Sequence, residues 1–172
     1  NNDGLVVRFG ARAQNEDENV PSQTSTAGKV QEITLKITDA TEIPATDATG
    51  VAAGEFANTA FIPANATIIG ARIKTDTPLA SGGAADLILG TYTINASTGQ
   101  LVAVDANGVL DEADSALADY SVAGETVFVD KSSTAALVGK TTVGANAVVV
   151  AAAYLTAAFT AGAVTVTIEY TQ

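Results

Sequence analysis

The chain has 172 residues, which suits a single domain, and it contains no Cys, His, Met or Trp. The lack of Cys excludes disulfides and thiolate metal sites, and the lack of His removes the commonest general base and transition-metal ligand. A net charge of -11 argues against nucleic acid or an anionic membrane as partner, because both would repel the chain. Because Met is absent altogether, we expect that at least an initiator Met has been removed. Composition therefore favours a non-enzymatic protein with no cofactor.

The first 28 residues differ from the rest and predict an extended N-terminal arm. They begin with an apolar run, Leu5, Val6 and Val7 followed by Arg8 and Phe9, and continue with a polar stretch over 14–26 that has little to bury. The apolar run predicts a strand. Two placements stay open for it, the edge of a neighbour's sheet or the subunit's own sheet.

From Lys29 onward, apolar and polar residues alternate in short segments, as they do in strands with one wet face. In 163–170, for example, Val164, Val166 and Ile168 share one face. In 67–75 we expect Ile69 to face inward with Ala71 and Ile73. Residues 147–155 are almost continuously apolar, which predicts a strand buried on both faces. The predicted strands are 32–38, 56–62, 67–75, 86–94, 101–104, 126–129, 147–155 and 163–170.

Turn signals separate these segments. We expect a loop at 41–54, breaks at Pro78 and 81–83, a turn at 95–99, a hairpin turn at Asn107-Gly108, a short helix at 111–119 and a turn at 157–162. The pattern predicts an all-β protein, a jelly-roll-like β-sandwich of about eight or nine strands occupying residues 29–172.

An acidic region between Leu101 and Asp130 contains the residue types that bind calcium. It holds seven acidic residues and no Lys or Arg. The start, Asp105-x-Asn107-Gly108, faintly matches a calcium loop, but Gly occupies the fourth place and Ala116 stands where a bidentate Glu is required. We therefore predict no metal site here, and calcium binding by this acidic region stays open as the weaker alternative. The acidic residues are Asp105, Asp111, Glu112, Asp114, Asp119, Glu125 and Asp130.

The order of several segments resembles the head decoration (cement) proteins of tailed phages. These segments are Ile62-Pro63-Ala64-Asn65-Ala66-Thr67-Ile68-Ile69, then Thr75-Asp76-Thr77-Pro78, the run 81–91 and the run 160–170. The resemblance covers about 61–172 together with the polar arm. The resemblance lies in the residue composition and the order of these segments, and it includes no catalytic motif.

This resemblance implies a structural virion protein on the outer capsid surface, a homotrimer that bridges neighbouring major capsid proteins. Such proteins commonly grip the capsid with an N-terminal arm. The resemblance thus implies that the apolar side chains of the arm contact the capsid or a neighbouring subunit. These side chains are Leu5, Val6, Val7, Phe9 and Val20.

Two other functions stay open. One is another virion component, such as a tail or head-fibre part. The second is a carbohydrate-binding, adhesive β-sandwich, in which Tyr92, Tyr120 and Tyr154 would stack on sugars.

Overall fold

The computed structural model describes residues 30–53 and 61–172, and this part of the chain is all-β. Eight strands form two four-stranded antiparallel sheets, ordered β1-β8-β3-β6 and β2-β7-β4-β5. The strands are β1 (Gln31–Ile37), β2 (Phe61–Ile62), β3 (Thr67–Ser81), β4 (Asp86–Ile94), β5 (Leu101–Leu110), β6 (Thr126–Val129), β7 (Val148–Leu155) and β8 (Phe159–Thr171). Three short 3₁₀ turns lie at Ala40–Glu42, Glu112–Asp114 and Leu117–Tyr120.

The strand order is that of a jelly roll. Strand β1 pairs with β8, β2 with β7, β3 with β6 and β4 with β5, so the pairs are nested like a long hairpin folded over into two sheets. The predicted fold class, an all-β jelly-roll-like sandwich of eight or nine strands, is confirmed.

The alternation seen in the sequence sets which side chains fill the space between the sheets. Along β8, Val164, Val166 and Ile168 are fully buried, and the intervening residues are only partly covered. Leu35 and Ile37 on β1 point into the same core. Each such side chain contributes roughly 1.5–3 kcal/mol on burial, so this periodicity is a main determinant of the fold.

Strands β4 and β7 are buried on both faces, as predicted for 147–155. One face meets the core between the sheets, and the segment 43–53 covers the opposite face. Ala45 bridges to Tyr154, and the Ala48 N–H donates to the buried Tyr92 hydroxyl at 3.1 Å. In its described part, residues 41–53, the predicted loop therefore packs on the outer face of the second sheet.

Strand β3 departs from prediction in two ways. Its pairing with β8 shifts between Ile68 and Gly70, so Ile68 is buried and Ile69 is only partly covered, the reverse of the predicted facing. The strand also continues past Pro78 to Ser81. Proline is tolerated there because β6 pairs only with residues 71–74, which leaves that side of β3 without a ladder partner.

Three further predictions were wrong. The hairpin turn at Asn107-Gly108 is part of a single strand, β5, that contains irregular pairing. The helix at 111–119 is replaced by the two 3₁₀ turns, because Asp111 caps the first turn through the Ala113 N–H and a new turn begins after Ala116. The last strand starts at Phe159, earlier than expected. Within the described residues, no helix is long and apolar enough to cross a membrane.

Candidate interaction surfaces

The five apolar arm residues predicted to make contacts lie outside the described residues. These are Leu5, Val6, Val7, Phe9 and Val20. The exposed faces of the sandwich itself differ sharply from one another in polarity.

The tyrosines proposed as sugar platforms do not form one. Tyr92 and Tyr120 are fully buried, which is a correction to the sequence-based hypothesis. Tyr154 is half-buried and packs edge-on against Phe159, with ring centroids 6.2 Å apart. Burial raises the pKa of Tyr120 to about 12, although its hydrogen bond with Ser115 opposes the shift. These aromatic rings therefore pack in or against the hydrophobic core and do not form an exposed platform.

The outer face of the first sheet is polar and centred on Arg72. Its guanidinium forms ion pairs with Glu32, at 3.2 Å, and with Glu169. These two glutamates are directly paired residues of β1 and β8. Arg72 thus compensates two like charges that would otherwise face each other across strands.

Phe128 interrupts this polar face. It lies on β6, opposite Arg72 across the strand pair, and it is 72% exposed. Phe128 lines a groove of about 450 Å³, and Gly70, Asp130 and Glu169 also line this groove. A Phe at this exposure is the most prominent apolar side chain of the described residues. The signal was present in the sequence, since alternation in 126–129 places Phe128 on the face opposite Val127 and Val129.

A second apolar area lies where β4 ends and β5 begins. Val102 and Val104 are 42% and 52% exposed, and Phe61 and Ile94 are also exposed nearby. Phe61 and Ile94 line a cavity of about 410 Å³. Sequence analysis placed these residues in strands but gave no sign that they would be uncovered.

The acidic region of 101–130 is used for turn formation. The Asp111 carboxylate accepts from the Ala113 N–H and from the Asn107 amide, and Asp114 accepts from both the N–H and hydroxyl of Thr134. Hydrogen bonds from the Ser132 hydroxyl and N–H lower the pKa of Asp130.

These carboxylates do not converge on one point. Within 30–53 and 61–172, no group of three or more Asp, Glu, His or Cys residues is placed to hold a metal ion. Three of the acidic residues, Asp111, Asp119 and Asp130, cap local turns by accepting from nearby backbone N–H groups.

The sequence matches no protein-family model and no curated protein. The fold, however, is similar to that of a chain in the capsid of Ralstonia phage GP4. The TM-score is 0.51 and sequence identity is 19%, and the alignment covers 85% of this chain and 86% of that chain. At this low sequence identity the likeness shows a shared fold, and the structural alignment extends over most of the chain.

Proposed function

We propose that this protein is a structural component of a phage virion that decorates the outside of the capsid. In this role it bridges neighbouring major capsid proteins as a homotrimer. The observation that carries the proposal is the likeness of almost the entire sandwich to a chain in a phage capsid. Jelly rolls are a common architecture of viral capsid proteins, which adds weight to this likeness.

The charge of the chain supports an outer position. Packaged DNA is a polyanion, and a protein with a net charge of -11 is repelled by it. On the outside of a shell the same charge faces solvent and keeps the surface soluble.

The apolar surface around Phe128 supports a contact with a protein partner. A single exposed Phe in a polar face has the character of an anchor, with the groove beside it and the Arg72 ion pairs forming a polar rim. One such contact is weak. Many copies, each bridging adjacent capsid proteins, would together hold a shell firmly.

The proposal is tested with phage heads made from a deletion of this gene. Purified protein is added to the heads, and co-sedimentation and the temperature of head disruption are measured. We expect saturable binding and a higher disruption temperature for decorated heads. The carbohydrate-binding alternative is tested in parallel by glycan-array binding of the same protein.

Three results would overturn the proposal. The first is a virion from which the protein is absent by mass spectrometry. The second is a purified protein that assembles closed shells by itself, which would make it a shell-forming subunit. The third is protein that fails to bind deletion heads, while wild-type heads contain it in their interior.

A further inference from the structure

Phe128 and Asp130 form one wall of the groove on the outer face of the first sheet. Phe128 lies on β6 and Asp130 directly follows that strand, and both side chains are exposed. The floor of the groove is Gly70, which pairs with Glu169 on β8. A Cβ added at position 70 would lie 3.4 Å from the Val129 carbonyl oxygen and 3.8 Å from the Glu169 carboxylate. An aromatic ring and two carboxylates therefore surround a floor that has no side chain.

The basic side chains of β3 are held away from this wall. The Arg72 guanidinium pairs with carboxylates on β8 and β1, and both of these strands lie on the side of β3 opposite to β6. The Lys74 ammonium pairs with Asp76, farther along β3, at 2.7 Å. These two ion pairs therefore leave the Phe128 ring and the Asp130 carboxylate open to a cation from outside the chain.

The Asp130 carboxylate is charged at neutral pH and has one oxygen to spare. Its Oδ1 atom accepts from the Ser132 hydroxyl at 2.6 Å and from the Ser132 N–H at 2.7 Å. These hydrogen bonds lower the pKa of Asp130, and the positive charge of Lys131 adds a smaller effect in the same direction. Both hydrogen bonds reach the same oxygen, so Oδ2 can accept from a donor on a partner.

We infer that this groove binds a basic side chain of the partner protein, with arginine preferred to lysine. The inference rests on the proposed function, because it names the chemistry of the partner that the Phe128 face contacts. A guanidinium is planar, stacks on aromatic faces and donates a fork of hydrogen bonds to a carboxylate, so an arginine can use Phe128 and Asp130 together. The ammonium of a lysine is compact and strongly hydrated, and it matches this pair of groups less well.

The balance of charge favours a cation over the other possible occupants. One positive side chain, Arg72, stands beside three negative ones, Glu32, Glu169 and Asp130. The chain as a whole carries a net charge of -11, so a basic residue is attracted before contact and an acidic one is repelled. A purely apolar side chain would take the Asp130 carboxylate out of water without a countercharge, which is costly.

A blocked tripeptide, acetyl-Gly-Arg-Gly-amide, tests the groove without phage heads. It is titrated into the full-length protein at millimolar concentrations, and the backbone amide shifts are followed by NMR. We expect shift changes that grow with peptide concentration and are largest at Phe128 and Asp130. The matched peptide has citrulline, a neutral analogue of similar shape, in place of arginine, and its shift changes should be about fivefold smaller. Equal shifts with the two peptides, or none at Phe128 and Asp130, would overturn the inference.

Phage heads from the deletion strain test the same contact in its assembled setting, through the Kd measured by co-sedimentation. Phe128→Leu keeps an apolar side chain and removes the ring, and Asp130→Asn keeps the Oδ1 acceptor of the turn and removes the charge. We expect each variant to bind heads roughly fivefold more weakly or worse. Asp39→Asn is the matched control, because Asp39 accepts from the N–H and hydroxyl of Thr41 in the same way but lies beyond β1, at the opposite edge of the sheet. It should bind like wild type.

The outcomes separate this inference from the proposed function. If Phe128→Leu binds heads like wild type while Phe128→Ser does not, the contact is only apolar and the arginine assignment is overturned. Equal head binding by Asp130→Asn and Asp39→Asn overturns it as well. Failure of the proposed function gives a different pattern, in which wild-type protein does not bind heads while the arginine peptide still shifts Phe128 and Asp130. That pattern supports the groove as a site for a basic side chain and assigns the partner to another assembly.

Discussion

Gly90 on β4 and Ala106 on β5 lie so close that a Cβ atom at position 90 would be 2.3 Å from the Ala106 carbonyl oxygen. The cause is an irregularity between the two strands. Thr91 pairs with Asp105 and Leu89 with Leu110, so β5 advances five residues while β4 advances two. The extra residues of β5 bulge toward β4, and only glycine leaves room for them.

Gly90→Ala is therefore expected to destabilise the fold by about 1–3 kcal/mol, because the new methyl group meets backbone that cannot rotate away. The free energy of unfolding, measured in urea, gives the size of the effect. Gly82→Ala is the matched control, since a Cβ at position 82 meets nothing within 4 Å. Equal stability of the two variants would show that β5 does not press on Gly90.

The same irregularity explains why a hairpin turn was predicted wrongly at Asn107-Gly108. The sequence favours a turn because this dipeptide adopts positive φ angles easily. In the structure Gly108 lies in a crowded place, since a Cβ there would be 2.7 Å from the Asp105 carboxyl carbon and 2.8 Å from the Leu137 side chain. Local sequence does not distinguish a glycine needed for its φ angle from one needed for its size. That distinction depends on how β5 bends Asp105 toward Gly108 and on Leu137, which is distant in the chain.

The predictions that held were those determined by periodicity within one strand. The buried face of β8 and the two-sided burial of β7 follow directly from their own residues. The candidate interaction surfaces were harder to predict from the sequence, because the exposure of a side chain depends on which other segments pack against its strand. Val102 has the same alternation as a core residue, and it is nevertheless 42% exposed. Phe128 was open to prediction, since alternation in 126–129 places it on the face opposite Val127 and Val129.

Ser115 and Tyr120 share a hydrogen bond between buried hydroxyl groups, with the oxygen atoms 2.9 Å apart. Ser115→Ala and Tyr120→Phe should each cost about 1–3 kcal/mol, because each leaves the other hydroxyl buried without its partner. The double variant should cost less than the sum of the two. A double-mutant cycle by urea unfolding measures this coupling, expected at about 0.5–3 kcal/mol.

Ser121→Ala is the control for this cycle. It removes an exposed hydrogen bond from Ser121 to the Ala118 carbonyl oxygen in the same segment. We expect a change within about 0.5 kcal/mol. Additive costs in the double variant would contradict the proposed hydroxyl pair.

Alkaline pH should destabilise the protein through its buried tyrosines. Burial raises the pKa of Tyr120 to about 12 and also raises the pKa of Tyr92. Between a pKa of about 10 in the unfolded chain and about 12 in the folded protein, the folded state binds more protons, so stability falls as pH rises. For Tyr120 the loss approaches roughly 2–3 kcal/mol by the time its folded pKa is reached.

The comparison that isolates this effect is the slope of unfolding free energy against pH, from about pH 9 upward. Tyr120→Phe lowers stability at neutral pH but should flatten this slope relative to wild type, so the two proteins should approach each other in stability as pH rises. Every other side chain is the same in the two proteins, so the difference between their slopes isolates Tyr120. Parallel slopes would mean that Tyr120 does not carry the effect.

Arg72→Met should destabilise the fold by about 0.5–1.5 kcal/mol at low salt, because Glu32 and Glu169 then face each other without compensation. The loss should shrink at about 1 M salt, where charges are screened beyond roughly 3 Å. Lys74→Met removes only one exposed pair, to Asp76 at 2.7 Å, and should cost less. A salt-independent loss for Arg72→Met would point to packing of the side-chain stem.

Phe128→Ser should leave folding nearly unchanged and weaken attachment to phage heads. The side chain is 72% exposed, so its removal takes little area out of the folded core, and unfolding free energy should change by at most about 0.5 kcal/mol. If Phe128 anchors a partner, its loss should weaken binding to deletion heads at least tenfold, as expected for a central aromatic contact. Val122→Ser, at a similarly exposed apolar residue in a turn, should bind like wild type. Unchanged head binding by Phe128→Ser, with wild-type binding intact, would remove this face from the proposed capsid contact and leave the rest of the surface to supply it.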